Sequence, residues 1–455
     1  MDRSKLLGEE SIGRLLLKFS IPAITGMLVN ALYNVVDRIF VGNGVGAIAI
    51  TGITISFPIM NIIMAFGMLV GIGAASLVSI RLGQKKKNEA EQILGNALTL
   101  TIIISLTLTV LGIAFLDPIL IKFGASGEAL LYSRQYTSII IYGIIFQNLA
   151  FSMNHSIRAE GSPKMAMITM LIGAVLNTIL DYILVFIFKM GVQGAAIATI
   201  FSQAVSAAWV LSYFFGKRST LKIHRANLSL RKDVILSIFS IGMSPFAMQL
   251  AASAITIILN SKLLAYGGDI AVAAMGVINS ITMLILMPIF GINQGSQPII
   301  GFNYGAQKYD RVKKALKLAI IGATAVSIMG FIVIQLFPQF LIGLFGKDSP
   351  ELIEKGSHGI RIFLSMLPII GFQIVSANYF QAVGKPKHSM FLSLSRQVIV
   401  LIPLLLILPN FFKLDGVWMA GPASDFISSI LTGLFLFIEI RHLENRHKET
   451  KTELA

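Results

Sequence analysis

The sequence predicts an all-α integral membrane protein with twelve transmembrane helices, arranged as two six-helix bundles in a parallel repeat. Three observations predict it. Only 13% of the 455 residues are charged while 55% are hydrophobic, against roughly 25% charged in a soluble globular chain. Twelve continuously apolar runs follow one another along the chain. The second half repeats the order of glycine, proline and lysine landmarks found in the first.

Composition comes first. A soluble chain with a mean hydropathy of +0.79 could not cover its surface with polar groups, whereas lipid faces apolar side chains without penalty. There are no cysteines, which excludes disulfides, thiol catalysis and cysteine metal sites. The net charge of +15 would point to nucleic acid in a soluble chain. Here the cations sit in short loops between apolar spans, so nucleic acid is not an expected partner. Met1 to Gly13 carries mixed charge and no small-residue cleavage site, so it does not read as a signal peptide.

The spans come next. About 20 apolar residues cross ~30 Å of hydrocarbon as a helix. Runs of that kind lie near 17–40, 48–76, 93–116, 134–155, 165–188, 193–215, 236–264, 271–298, 315–337, 361–383, 389–409 and 416–440. None alternates with a period of two, so a membrane barrel is excluded. With the N-terminus inside, 27 of the 37 Lys and Arg residues fall in inside segments and 8 in outside ones. Arg38 and Arg396 lie within spans. This asymmetry predicts that both termini are cytoplasmic, in a multi-pass protein of the plasma membrane.

The repeat organises the chain. Residues 1–215 are expected to form an N-terminal bundle and 236–440 a C-terminal one. A basic linker at 216–235 joins them, and 441–455 form a cytoplasmic tail. Phe19-Ser20-Ile21-Pro22 is echoed by Phe239-Ser240-Ile241-Gly242, and Arg158-Ala159-Glu160-Gly161-Ser162-Pro163-Lys164 by Gln381-Ala382-Val383-Gly384-Lys385-Pro386-Lys387. Six spans per half is an even number, so the two halves share one orientation, a repeat typical of transporters.

Acids inside the spans carry the functional reading. A carboxylate at the bilayer centre costs ~3 kcal/mol or more and so faces a partner or a wet cavity. Asp37 lies in the first span, after Tyr33 and Asn34. Asp181 lies in the fifth, four residues after Asn177, and that spacing puts both side chains on one helix face. A carboxylate and an amide oxygen suit Na⁺, and the carboxylate alone can instead carry a proton. Asn154 in the fourth span and Thr199 in the sixth extend the polar set.

These groups also have bland readings. Asp181 could cap or pair structurally, and amides and hydroxyls often bridge helices. Arg38 could neutralise Asp37, although adjacent side chains point about 100° apart. Asp425 in the twelfth span reads as structural. Pro22 lies about four turns before Asp37, where a bend could couple to ion binding or could be a static kink.

These residues resemble the multidrug and toxic compound extrusion (MATE) family, on the prokaryotic DinF/MepA-like side. The resemblance is carried by Tyr33-Asn34-Val35-Val36-Asp37 with Phe40-Val41-Gly42, by Arg158-Ala159-Glu160-Gly161, and by Asn177-Thr178-Ile179-Leu180-Asp181 leading to Gly191-Val192-Gln193-Gly194-Ala195-Ala196. It implies a V-shaped fold and the export of cationic or amphipathic organic compounds in exchange for H⁺ or Na⁺. It implies Asp37, Asn177, Asp181 and Thr199 as the cation-coupling set, which would hold Na⁺ directly if sodium drives export. Tyr33, Asn34, Asn154 and Arg38 are cavity candidates, and Pro22 is the helix bend. No cofactor beyond the coupling ion is expected, and the chain is expected to act as a monomer in the lipid bilayer. A lipid-linked saccharide flippase is the alternative, weakened by having only two basic residues deep in spans. A channel would need a continuous polar path. No nucleophile–base arrangement or metal cluster suggests an enzyme.

Overall fold

A computed structural model describes residues 3–45, 47–345 and 349–454, with the side chains of Arg3, Ser4, Asn34, Arg38, Ala47, Ile50, Thr51 and 446–454 outside the description. Among the described residues there are helices and connections and no strand. The physical reason is the one that made the spans legible. Where water is absent, each backbone N–H and C=O must be satisfied within its own segment, and a helix does this.

The helices, in chain order, are α1 (Arg3–Glu9), α2 (Ile12–Gly44), α3 (Ala47–Gly83), α4 (Lys87–Ala114), α5 (Leu116–Lys122), α6 (Gly127–Tyr142), α7 (Ile144–Ala159), α8 (Pro163–Asp181) and α9 (Gly191–Phe215). They continue with α10 (Lys232–Gly305), α11 (Tyr309–Leu336), α12 (Pro338–Gly343), α13 (Pro350–Phe363), α14 (Leu367–Ala382), α15 (Pro386–Leu394) and α16 (Ile402–Leu454). A π-helical segment, Tyr182–Ile187, follows α8, and another, Ser395–Leu401, joins α15 to α16.

Among the described residues eight helices are long and apolar enough to cross a membrane, or ten if each bent pair counts as one span. Two of these contain a break. At about 1.5 Å per residue, the 74 residues of α10 would far exceed a bilayer's ~30 Å core. The backbone turns out of helical geometry at Gly268, with φ 70° and ψ −170°. Lys413 breaks α16 in the same way, at φ 50°. Reading each broken helix as two spans gives the twelve the hydropathy predicts.

The repeat is built into the backbone as well as the sequence. The pair α6 and α7 bends by 55° at Gly143, and the pair α13 and α14 bends by 49° before Leu367. Left-handed residues recur at matched positions: Lys85 and Gln307, Gly161 and Gly384, Lys189 and Lys413. The short helices α5 and α12 stand at equivalent points.

By packing, the chain forms two compact units. One comprises Met1–Gly8 and Thr25–Phe246, the other Glu9–Ile24 and Ala247–Ala455. The divisions therefore fall at the end of α1, between Gly8 and Glu9, inside α2, two residues after Pro22, and inside α10, next to Pro245. The first unit has a core of Val70, Val78, Leu94, Ala97, Met153 and Val210. The second is built around Leu263, Met275, Ile278, Ile360, Leu367 and Trp418.

The linker is strapped onto α4. Asn96 Nδ2 donates to the carbonyls of Asn227 and Ser229, each at 3.1 Å, and its Oδ1 accepts from the Arg231 backbone N–H at 2.8 Å. Thr99 Oγ1 donates to the Leu228 carbonyl at 2.9 Å. Buried Glu91 accepts from the backbone N–H of Lys222 at 3.0 Å.

Candidate ion-binding site

The polar groups of the first unit converge from α2, α6, α8 and α9. Helix α8 places Asn177 and Asp181 one turn apart, and both side chains are buried, Asp181 completely. Immediately after Asp181 the chain opens into the π-helical segment, where Phe188 N–H reaches back to the Ile183 carbonyl at 2.9 Å. Such wide turns interrupt the regular ladder and recur at functional sites. Helix α9 presses close against this segment: a Cβ on Gly194 would lie 3.1 Å from Leu184.

The carboxyl of Asp181 lies within hydrogen-bonding reach of the Asp37 carboxyl on α2. The Asn177 amide has two isosteric orientations. In one, Nδ2 donates to Thr199 Oγ1 at 3.3 Å. In the other, Nδ2 donates to Asp181 Oδ2 at 3.1 Å while the oxygen accepts from the Thr199 backbone N–H at 3.3 Å. The second satisfies both amide atoms, and the hydrogen-bond network selects it. Thr199 Oγ1 in turn donates to the Ala195 carbonyl at 3.0 Å, within α9.

Tyr136, on α6, completes the cluster. Its hydroxyl is within hydrogen-bonding reach of Thr199, and its ring sits in the electrostatic neighbourhood of Asp37, Tyr33 and Asp181. Sequence reasoning missed it. It is one of three tyrosines on α6, with Tyr132 and Tyr142, and nothing in their spacing singles it out; its place emerges only once α6 meets α2 and α9.

The structure thus brings together Asp37, Asn177, Asp181, Thr199 and Tyr33. Asn154 donates its amide N–H to the Ala166 carbonyl at 2.8 Å and ties α7 to α8. The side chains of Asn34 and Arg38 lie outside the described residues. Pro22 lies inside an uninterrupted α2.

Chemically, the cluster presents two carboxyls, an amide, a hydroxyl and a phenol in a buried environment. A carboxylate offers only acceptors. A hydrogen bond between Asp37 and Asp181 therefore closes only when one of them carries a proton. Two bare carboxylates at such range in a low dielectric repel strongly. The donor oxygens also have the hard character that Na⁺ prefers.

The second unit has no such pair among the described residues. There Arg396 Nε lies 2.6 Å from Asp425 Oδ1, and Ser424 Oγ donates to the Arg396 carbonyl at 2.7 Å. Asp425 is thus paired with the Arg396 guanidinium across two elements.

Comparison with known proteins places this arrangement. The MatE family model matches twice, over residues 22–183 and 245–407, once in each half of the repeat. The multidrug export protein MepA of Staphylococcus haemolyticus (strain JCSC1435) is 27% identical over 434 residues, covering 95% of both chains. The MATE multidrug transporter DinF-BH, solved in a ligand complex, is 43% identical, with a TM-score of 0.89, covering 94% of this chain and 96% of that one. A MATE structure in complex with MaL6 is 26% identical with a TM-score of 0.92, covering 98% and 100%.

Proposed function

This chain belongs to the MatE family, and from that premise we propose that it is a secondary active multidrug exporter, moving cationic or amphipathic organic compounds out of the cell in exchange for a cation by alternating access. The names of its relatives support multidrug export: MepA is a multidrug export protein, and DinF-BH is a multidrug transporter solved with a bound ligand.

The observation that carries the coupling is the Asp37–Asp181 carboxyl pair. Of the two candidate ions, the geometry favours H⁺, because the two acids are close enough to hold one proton between them. Export then proceeds as follows. A proton enters the pair, the carboxyl–carboxyl bond closes, and α2 is drawn toward α8. Loss of the proton to the other side leaves two negative charges that separate, and a cationic compound is released or admitted as the pair changes charge. Asn177, Thr199 and Tyr136 orient the pair. Pro22 lacks the N–H that would stiffen α2, and it lies two residues from the point where α2 passes between packing units, so bending of α2 is assigned there.

The chain is assigned to the plasma membrane as a monomer with both termini cytoplasmic, and the Lys and Arg asymmetry between alternate loops supports the orientation of the termini. The test is ethidium efflux from vesicles containing the purified chain, with proton and sodium gradients imposed separately. Export driven by the proton gradient alone is the expected result. Export driven only by sodium would overturn the choice of ion, and export under neither gradient would overturn antiport itself.

A further inference from the structure

Resting on the coupling reading above, we propose that Ser56, Ser133 and Thr137 are positioning residues for the ion site. They lock α6 onto α3 at the height that delivers the Tyr136 hydroxyl to Thr199.

The lock is a closed set of hydrogen bonds between two residues on each helix, Gly52 and Ser56 on α3 and Ser133 and Thr137 on α6. A spacing of four puts each pair on one helix face. Ser133 Oγ donates to the Gly52 carbonyl at 2.7 Å. Ser56 Oγ donates to the same carbonyl at 3.2 Å and lies 2.6 Å from Thr137 Oγ1. With the Ser56 proton committed to Gly52, Thr137 is the donor between the two hydroxyls. A carbonyl has two lone pairs, so Gly52 can accept both bonds. The three side chains are at most 1% exposed, so neither water nor lipid competes for them. Gly52 makes the approach possible: a Cβ there would lie 2.7 Å from the Tyr132 Cβ and 3.0 Å from the Ser133 backbone nitrogen.

Hydroxyls often bridge membrane helices with no further role. The place of these on α6 sets them apart. Tyr136 sits in the turn between Ser133 and Thr137, so anchoring both fixes its Cα along and around the helix axis. Its ring belongs to the core of Val41, Ile53, Val192 and Ala195, and its hydroxyl reaches Thr199. A hydrogen bond weakens when its partners part by about 0.5–1 Å, so a small slip of α6 would break that reach. Helix α6 cannot take its position from α7, because the chain bends by 55° between them. The next hydroxyl on α6, Ser138, donates to the Gln135 carbonyl of its own helix at 3.3 Å.

Ethidium efflux from vesicles containing the full chain, driven by a pH gradient, tests this through two readings: the maximal rate and the proton concentration giving half of it. S56A/T137V keeps the shape of the contact and removes its hydroxyl pair. It is expected to need roughly five-fold more protons, the effect of one lost hydrogen bond at the site, at close to the wild-type maximal rate. S56T/T137S exchanges the two side chains, keeps the pair, and is expected to match the wild type. S56A/T137V/Y136F is expected to match Y136F, because the lock acts only through the phenol. An unshifted proton dependence in S56A/T137V would overturn the proposal. So would a shift of about twenty-five-fold in the triple variant, the product of two independent effects, or a swap variant as impaired as S56A/T137V. Should S56A/T137V fail to accumulate, S133A removes a single bond and is expected to shift the proton dependence in the same direction; no shift there would also overturn the lock. A wild type with no proton-driven efflux would sink the coupling reading and the lock together, whereas a wild type that exports leaves the variants to judge the lock alone.

Discussion

Arg396 on the π-helical segment and Asp425 on α16 form an ion pair at 2.6 Å, 29 residues apart in sequence, with Asp425 nearly completely buried. Removing one partner of such a pair strands the other charge, which costs on the order of 3 kcal/mol, the lower end of the usual range because Arg396 is about one-third exposed. R396Q is therefore expected to lower the thermal midpoint more than D425N does, because R396Q leaves the buried carboxylate alone. The R396Q/D425N double variant should recover most of the loss. Equal destabilisation by all three variants would contradict the pairing.

The first unit should respond differently. D181N is expected to abolish drug export while the protein still accumulates in the membrane and purifies as a single species. D37N should behave likewise. Resistance assays in cells, scored against the amount of protein in the membrane, make the check. Full resistance with D181N at normal expression would remove the coupling role.

Y136F deletes one hydroxyl beside Thr199. One hydrogen bond is worth about 1 kcal/mol, so the variant should fold normally and need roughly five-fold more driving ion for half-maximal efflux. An unchanged ion dependence would show that the phenol is packing only.

N96A should loosen the linker. It deprives the Arg231 N–H of its acceptor and the Asn227 and Ser229 carbonyls of a donor, a loss of about 1–3 kcal/mol locally. Faster tryptic cleavage at Arg225 and Arg231, with the helices still intact, is the expected pattern. Cleavage at the wild-type rate would show that the strap is held by other contacts.

Two glycines give an internal control for packing. A Cβ at Gly371 would sit 2.6 Å from the Ala323 carbonyl, across the α14–α11 interface, whereas a Cβ at Gly276 meets nothing within 4 Å. G371A is expected to destabilise by ~1–3 kcal/mol, and G276A to be neutral or slightly stabilising. Thermal midpoints of the two purified variants decide it.

Much of the fold could be read from residues alone, because the bilayer forces one backbone solution on any long apolar run. The helix ends could not. Helix α2 spans Ile12–Gly44, beyond the apolar run at 17–40, since polar turns continue a helix into the headgroup layer without raising hydropathy. The Asn177–Asp181 pairing was legible because it depends only on helical spacing. Tyr136 and the Arg396–Asp425 pair were not, because each exists only through contact between helices distant in sequence. Asn154 shows the same limit: an amide inside a span does not reveal its partner, here the Ala166 carbonyl of α8.

The matched left-handed residues at Lys85 and Gln307, Gly161 and Gly384, and Lys189 and Lys413 have a practical consequence. Each half carries the same backbone plan, as the two matches of the family model also imply, so a turn variant made in one half has a ready-made counterpart in the other. The halves share their turns and not their charges: among the described residues Asp37 and Asp181 belong to the first, and the Arg396–Asp425 ion pair to the second.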